Sequence, residues 1–246
     1  KNVVDISFSP ENVLSLNDLA KKNNVCAVVD AGVAPGIPNF LLGYWDSKIK
    51  VNSFDYLVGG LPKNPLPPYN YKAPFSPIDV IEEYTRPARM MINSKIVTKP
   101  ALSEIEELDI IDAGKLEAFN TDGLRSLLVT MDHIPNMKEK TLRYPGHAAL
   151  IQSMIDKNLF DENNFKNTVQ KLFNDWKLND NEPEFTVLDI NIYGSEKNIH
   201  YHLYDEMDML SKSSSMARTT GYTATATVNM LLKKIWSKKG VSPPEI

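Results

Sequence analysis

Val25-Cys26-Ala27-Val28-Val29 is apolar at every position and rich in β-branched side chains. A strand of that kind has no solvent face, so it belongs inside a parallel sheet covered on both sides. Val3 to Phe8 reads as a second strand. Between them, Ser9-Pro10-Glu11 starts a helix, with Ser9 as N-cap and Pro10 at the first helical position, where its missing N–H costs nothing. Leu14, Leu16, Leu19 and Ala20 give that helix an apolar stripe, and Asn23-Asn24 stop it. Parallel strands need a crossover, and strand, helix, strand at this spacing is a βαβ unit. The segment reads as the closing piece of a larger doubly wound sheet.

The pattern changes after Gly32. Ile37 to Trp45 is a short helix, followed by a strand ending at Val58. Gly59-Gly60-Leu61-Pro62-Lys63-Asn64-Pro65-Leu66-Pro67-Pro68 is too rich in proline for regular structure. Ser76-Pro77 starts a helix through Tyr84, and Met90 to Thr98 forms a hairpin turning at Asn93-Ser94. Phe185 to Tyr193 and Ile199 to Met207 alternate around Gly194-Ser195-Glu196-Lys197, the mark of an antiparallel hairpin. Ser215 to Trp236 is a long helix. The fold class is α/β: a parallel fragment leads into an α+β body with a mostly antiparallel mixed sheet, and a long helix follows.

The chain has 246 residues, enough for one large domain or two small ones. Hydrophobic residues at 42% and charged residues at 24% match globular proteins and exclude collagen, coiled coil and wholesale disorder. No apolar run reaches the ~18 residues of a membrane span. A formal net charge of -4 gives no invitation to nucleic acid. Cys26, the single cysteine, has no internal partner, which fits a reducing compartment. The opening Lys1-Asn2-Val3-Val4 has neither initiator Met nor signal leader, and a strand begins at once, so the chain is expected to be a piece cut in front and behind.

Several segments carry candidate chemistry, each with a bland alternative. Asp30-Ala31-Gly32-Val33-Ala34-Pro35-Gly36 follows a buried strand and opens a helix, where ligands of open α/β sheets gather. Gly32 and Gly36 allow close backbone approach and an anion at the helix start; the alternative is a plain strand-to-helix turn. Gly59-Gly60 lets something flat lie against the backbone, or makes a tight turn. Glu117-Ala118-Phe119-Asn120-Thr121-Asp122-Gly123 ends a strand with polar groups that could grip an amino acid, Asn120 and Thr121 among them, unless Thr121 or Asp122 caps a helix. Thr141-Leu142-Arg143-Tyr144-Pro145-Gly146-His147 groups an arginine, a tyrosine and a histidine around a chain reversal. The Arg143 fork suits a carboxylate, and His147 or Tyr144 could move a proton; otherwise Arg143 makes a surface ion pair. His200 and His202 share a strand face with Tyr204, but no third metal ligand is evident, so a solvent face is expected and no metal. Cys26 reads as inert core. Ala217, Gly221, Ala224 and Thr225 make a small-residue face on the last helix, suited to packing against another domain.

Taken in order, the segments at Asp30–Gly36, Gly59–Pro62, Glu117–Gly123 and Thr141–His147, with Met216-Ala217-Arg218-Thr219-Thr220-Gly221-Tyr222, resemble the saccharopine dehydrogenase-like family across nearly the whole chain. The resemblance is closer to its lysine 6-dehydrogenase-like members. Saccharopine reductases usually have Asp where this chain has Ala34, an aromatic where it has His147, and a long insertion in the second half that is missing here.

The resemblance implies an NAD(P)-linked oxidoreductase acting on the C–N bond of an amino acid. Such enzymes carry an N-terminal Rossmann domain with a glycine-rich phosphate loop, and no Gly-x-Gly-x-x-Gly occurs in this chain. The cofactor is therefore NAD or NADP, with its phosphate loop outside the chain, and the piece alone is expected to be inactive. The implied division is 1–31 as the end of the nucleotide-binding domain, 32–214 as the substrate-binding and catalytic domain, and 215–246 as a helix returning to the first. Asp5 and Ile6 would border the nicotinamide, Gly59 and Gly60 would approach the cofactor, and Arg143 would hold the substrate carboxylate. Asp5, Asp122 or His147 would take the proton. A cytoplasmic homodimer paired through the antiparallel sheet is expected. The alternatives are a catalytically silent relative used for binding or assembly, and a carboxynorspermidine-type reductase condensing a carbonyl with an amine.

Overall fold

The computed structural model describes residues 1–7, 12–179 and 181–246. Phe8 and the expected helix start at Ser9 and Pro10 lie outside the described residues. The first half of the chain runs β1 (Val3–Val4), a 3₁₀ turn, α1 (Asn17–Lys22), β2 (Cys26–Val28), α2 (Ile37–Asp46), β3 (Val51–Pro62), α3 (Pro77–Thr85), β4 (Ala88–Ile92), β5 (Lys95–Lys99) and β6 (Glu106–Ile110). The second runs β7 (Gly114–Asn120), α4 (Leu127–Thr130), β8 (Asn136–Arg143), α5 (His147–Asp156), α6 (Phe165–Asp175), β9 (Glu184–Gly194), β10 (Asn198–Glu206), α7 (Ser215–Leu232) and β11 (Gly240–Ser242).

A small sheet of order β1-β2-β11 is parallel throughout, as the apolar run at Val25–Val29 demands. Its third strand, at Gly240–Ser242, has no hydrophobic period of its own and leaves no mark in the sequence pattern. The first strand is shorter than expected: beyond Val4 the chain keeps only single contacts, Asp5 N–H to the Val28 carbonyl at 2.8 Å and Ala31 N–H to the Asp5 carbonyl at 3.0 Å. The helix after it is also shorter, and its stripe is only partly covered: Leu14 and Ala20 are half-buried while Leu16 is 53% and Leu19 59% exposed.

The larger sheet has eight strands, with the path β10-β9-β3-β8-β4-β5 and the β6–β7 hairpin joined to β8. Only β3 and β8 are parallel to each other; every other pairing is antiparallel, giving the expected mixed sheet. Both hairpins read from the sequence are present, at β4–β5 and β9–β10. The strand expected to end at Val58 instead runs through Gly59-Gly60-Leu61-Pro62, so the glycine pair is extended strand rather than a turn. Cross-strand pairing explains it: Gly60 lies opposite Thr186 and Leu61 opposite Phe185, and both apolar side chains are buried. Pro62 is tolerated because pairing with β8 stops at Val58, leaving no ladder bond for it to donate on that side.

One core cluster fills the space between this sheet and α2 and α4, with Leu42, Phe54, Leu127, Ile134 and Ile190 among its buried members. A second, around Trp176, Tyr84 and Phe119, holds α3, α5 and α6 to the sheet. Fully burying each such side chain contributes roughly 1.5–3 kcal/mol. α7 packs on β9, β10 and β1. The side that packs is the row Ser215, Thr219 and Thr227, however, while Ala217 and Thr225 are exposed and a Cβ on Gly221 would meet nothing within 4 Å. The helix ends at Leu232 rather than Trp236. No helix among the described residues is long and apolar enough to cross a membrane.

Candidate active site

A cavity of about 480 Å³ opens between the two sheets, beyond the carboxyl ends of β2, β3 and β8. The carboxyl ends of parallel strands are where open α/β sheets collect ligands. Ile6, Ser7 and the turn Gly32 to Pro35 form one wall, and Val58, Gly59 and Gly60 form the floor. α3 contributes Asp79 and Glu83, α7 contributes Met216 and Thr220, and the loop after β7 brings Thr121 to Gly123. Glu139, Thr141 and Arg143 come from β8. Alternation along a strand explains that last set, since every second side chain faces the same way.

Arg143 is 3% exposed. Its Nε donates to Tyr84 Oη at 2.7 Å and its Nη1 to the Leu142 carbonyl at 2.8 Å, while the Tyr71 ring lies 4.5 Å beneath the guanidinium. Glu83 Oε2 stands 3.6 Å from Nη2. That is an ion-pair distance rather than a hydrogen bond, so N–H groups of both Nη atoms remain for an incoming carboxylate. The surface ion-pair reading is excluded by burial.

His147, by contrast, does not reach the cavity. It is 1% exposed, with Nδ1 2.9 Å from the Tyr69 carbonyl and Nε2 3.0 Å from Tyr84 Oη. A carbonyl can only accept, so Nδ1 carries the hydrogen and Nε2 accepts from Tyr84. Burial first, then the Arg143 charge, lowers its pKa to about 3. It is a neutral support for Tyr84 and Arg143, not a proton carrier at neutral pH.

The other expected residues divide in the same way. Asp122 is at the cavity, but its oxygens are held by Arg89 Nε at 2.9 Å and Nη2 at 2.8 Å, with Arg86 at 3.5 Å. It orients the loop and caps no helix. Thr121 is also at the cavity, bonded to Glu139 and Thr141. Asn120 points away, its Nδ2 donating to Ser103 and Glu104, both at 3.0 Å. Tyr144 turns to the opposite face of the sheet and donates to the Pro62 carbonyl at 2.9 Å. Asp5 accepts from the Ser7 hydroxyl just outside the cavity, while Ile6 lines it.

Among the glycines, Gly32, Gly59 and Gly60 are in the wall and Gly36 is behind it. Gly36 has φ +143°, and a Cβ there would sit 1.8 Å from the Gly32 carbonyl oxygen. Its role is to close the turn. The N–H groups of Gly32, Gly36 and Ile37 are all bonded within the turn, to Pro35, Asn39 and Val33, so these three are not open to an anion. Gly59 and Gly60 are required by protein packing: their missing side chains are replaced by Leu142 on one side and by Met216 and Pro74 on the other.

Nothing in the sequence reading singles out Glu139 and Glu83. Glu139 is 4% exposed, hydrogen-bonded to Thr121 Oγ1, and its Oε2 accepts from Gly123 N–H at 3.0 Å. Burial, followed by the Glu83 charge, raises its pKa to about 8. The available signal is the alternation Glu139, Thr141, Arg143, hidden because the segment reads as a reversal instead of a strand end. Far from the cavity, His200 and His202 do share a face, and both bond Asp189, at 2.6 and 3.2 Å. Among the described residues no group of three His, Cys, Asp or Glu is placed to hold a metal. Cys26 is a buried free thiol.

The family model for the saccharopine dehydrogenase C-terminal domain matches residues 32–246. The mitochondrial alpha-aminoadipic semialdehyde synthase of Bos taurus is 23% identical over 180 residues, covering 67% of this chain and 19% of that protein. The chain thus spans about a fifth of the length of this curated relative. Among solved structures, apo saccharopine dehydrogenase (L-Glu forming) from Saccharomyces cerevisiae superposes with TM-score 0.75 at 17% identity, covering 100% of this chain and 74% of that one. The homospermidine synthase of Legionella pneumophila, solved with NAD, gives TM-score 0.63 at 11% identity, covering 99% of this chain and 65% of that one. At these identities the two superpositions show a shared fold.

Proposed function

The chain belongs to the saccharopine dehydrogenase C-terminal domain family, and on that ground we propose that its cavity is the substrate side of an NAD(P)-dependent oxidoreductase acting on the C–N bond of an amino acid. The observation that carries the reading is Arg143: a guanidinium buried in the cavity wall with N–H groups left over is a carboxylate clamp.

Ile6, Val33, Pro35 and Val58 make an apolar wall suited to a flat ring, and the backbone of Gly59 adjoins it. These residues fit the nicotinamide end of a dinucleotide, NAD or NADP. The Gly32, Gly36 and Ile37 N–H groups of the turn are already bonded to the turn itself and are not open to its phosphates. A phosphate loop would come from a nucleotide-binding domain of which residues 1–31 are the end, with 32–214 as the substrate domain and 215–246 as the returning segment. When bound, the cofactor supplies the hydride acceptor.

The chain's own residues supply the rest. Arg143 fixes the substrate carboxylate and Tyr71 and Tyr84 fix Arg143, so the α-carbon is held at one distance from the apolar wall. Glu83, at the cavity edge beside Arg143, accepts the proton that the substrate ammonium must lose before its nitrogen can form an imine. Asp122 stays with its arginines and His147 stays neutral beneath Tyr84.

A second reading, a reductase condensing a carbonyl with an amine, is favoured by the acid content of the wall. Asp79, Glu83, Asp122 and Glu139 all face the cavity; Asp122 is paired with its arginines and burial keeps Glu139 protonated near neutral pH, so Asp79 and Glu83 are the charges that suit a polyamine. The homospermidine synthase shares the fold. The compartment follows the named relative or the free thiol: mitochondria or cytoplasm. β10 is an edge of the large sheet, and a homodimer would pair there.

Amine-dependent reduction of NAD and NADP by the full-length protein, with lysine, saccharopine and polyamine conjugates, tests these readings. Turnover with an amino acid, and a KM raised in Arg143→Ala, supports the dehydrogenase. Turnover only with polyamine substrates supports the reductase. No turnover and no cofactor binding leaves a silent relative.

A further inference from the structure

Glu139 and Glu83 reach the cavity from different elements, β8 and α3, and two hydroxyls join them. Thr121 Oγ1 lies 2.9 and 2.8 Å from the two Glu139 oxygens and 2.8 Å from Thr141 Oγ1. Thr141 Oγ1 in turn contacts Glu83 Oε1. The series carboxyl, hydroxyl, hydroxyl, carboxyl is continuous.

Counting hydrogens fixes how many protons the series holds. Each threonine hydroxyl brings one hydrogen. If both glutamates are ionised, each hydroxyl gives its hydrogen to its own carboxylate. The two hydroxyl oxygens then face each other at 2.8 Å with no hydrogen between them, an unfavourable contact inside the protein. One added proton removes the conflict: Glu139 donates to Thr121, Thr121 to Thr141, and Thr141 to Glu83. Moving that proton to Glu83 reverses every donor and satisfies every contact again. A second added proton leaves one hydroxyl hydrogen with no place in the series.

The surroundings bias where the single proton rests. Around Glu139 are Asp122 with its partners Arg86 and Arg89, the Glu83 carboxylate, and Tyr56, whose hydroxyl donates to the Gly123 carbonyl at 2.9 Å. Around Glu83 are the Arg143 guanidinium at 3.6 Å and the Tyr71 and Tyr84 rings. Arg143 favours charge on Glu83, and burial disfavours charge on Glu139. The resting proton belongs to Glu139.

We propose that Glu83, Thr141, Thr121 and Glu139 form a relay that stores one proton and passes it between the two carboxyls of the cavity. In one passage the Glu139 O–H bond breaks as its proton reaches Thr121 Oγ1. The Thr121 hydrogen moves to Thr141, and the Thr141 hydrogen forms the new O–H bond at Glu83 Oε1. No electrons are gained or lost, and the net charge of the four groups is constant. Its use in catalysis rests on the amine-oxidation reading. With the proton stored on Glu139, Glu83 is the carboxylate that takes a proton from the bound ammonium, one N–H bond breaking as one O–H bond forms and the lone pair staying on nitrogen. The series has no place for this second proton, so the partly exposed Glu83 gives it up to water, that O–H bond breaking in turn.

The test is a proton inventory of the resting full-length protein, read from the infrared carbonyl stretch of a protonated carboxyl and assigned with carbon-13-labelled glutamate. We expect the band near neutral pH in the wild type, lost as one proton step at alkaline pH and absent in Glu139→Gln. It should shift in Thr121→Val and return to its place in Thr121→Ser. Circular dichroism reports whether each variant folds, and Thr141→Val is the second break if Thr121→Val does not fold. No wild-type band near neutral pH, a band that survives Glu139→Gln, or one indifferent to both valine variants overturns the relay. If the band behaves as expected while no amine is oxidised, the relay stands and the dehydrogenase reading falls. If amine is oxidised and the band is missing, the relay falls and the dehydrogenase reading stands.

Discussion

Arg143 and His147 meet on one oxygen, the hydroxyl of Tyr84. Arg143 Nε donates to it at 2.7 Å, and it donates to His147 Nε2 at 3.0 Å. The hydroxyl therefore transmits the position of a buried histidine to the cavity arginine, and the histidine takes its own position from the Tyr69 carbonyl. The order of the carboxylate clamp depends on a residue that touches no ligand.

Replacing Tyr84 by Phe removes that oxygen and leaves both neighbours buried with an unmet partner. The expected loss is about 1–3 kcal/mol, the usual penalty for orphaning buried polar groups. Urea unfolding of wild type and Tyr84→Phe measures it. In turnover assays the same variant should raise KM more than it lowers kcat, since it loosens binding.

His147 makes the folded state acid-sensitive. Its pKa falls from 6.5 to about 3 on folding, so the unfolded chain binds the proton first. Its contribution to stability is complete above pH 6.5 and is lost as the pH falls through that value toward about 3. Unfolding midpoints across this window should decline, and His147→Leu should flatten the decline even if the variant is less stable throughout.

Glu139 acts with the opposite sign. Its pKa rises from 4.5 to about 8, so the folded state binds the proton first. The contribution is complete below pH 4.5 and is lost as the pH rises from there through about 8. Glu139→Gln keeps a neutral side chain of the same size, so its stability should be nearly level over this interval while the wild type declines. Differential scanning fluorimetry at matched ionic strength checks the slopes.

Two glycines make a paired control. Gly36→Ala would place a methyl 1.8 Å from the Gly32 carbonyl at φ +143°, where L-residues are strained. A loss of at least about 1–3 kcal/mol, or failure to accumulate soluble protein, is expected. Gly221→Ala meets nothing within 4 Å in the middle of α7, and should stabilise by about 0.4–1 kcal/mol. Chemical denaturation of both variants decides the contrast.

Much of the architecture is legible in the sequence because it rests on local pattern. The continuous apolar run at Val25–Val29 specifies parallel pairing, and alternation specifies β9 and β10 nearly to the residue. Arg143 stands out because a guanidinium directly before Tyr144-Pro145-Gly146 is conspicuous. Pattern fails where long-range pairing overrides local chemistry. Gly59-Gly60 looks like a turn, yet β9 opposite holds it extended. Asn120 and Thr121 are neighbours, but strand alternation puts only Thr121 at the cavity. Glu139 looks like one charge in a charged run; only burial against Thr121 and Gly123 distinguishes it.

β3 closes the floor of the cavity only through strands that come much later in the chain: Phe54 lies opposite Met137 on one side and Ile192 on the other. During synthesis it emerges with both edges bare. Its apolar side chains wait for β8, and then again for β9. Contacts so distant in sequence form late, and an unpaired apolar strand is the usual template for aggregation while it waits. Chains halted before Asn136 carry that strand with neither partner, so the element that shapes the ligand site is also the one that most needs protection while the protein is being made.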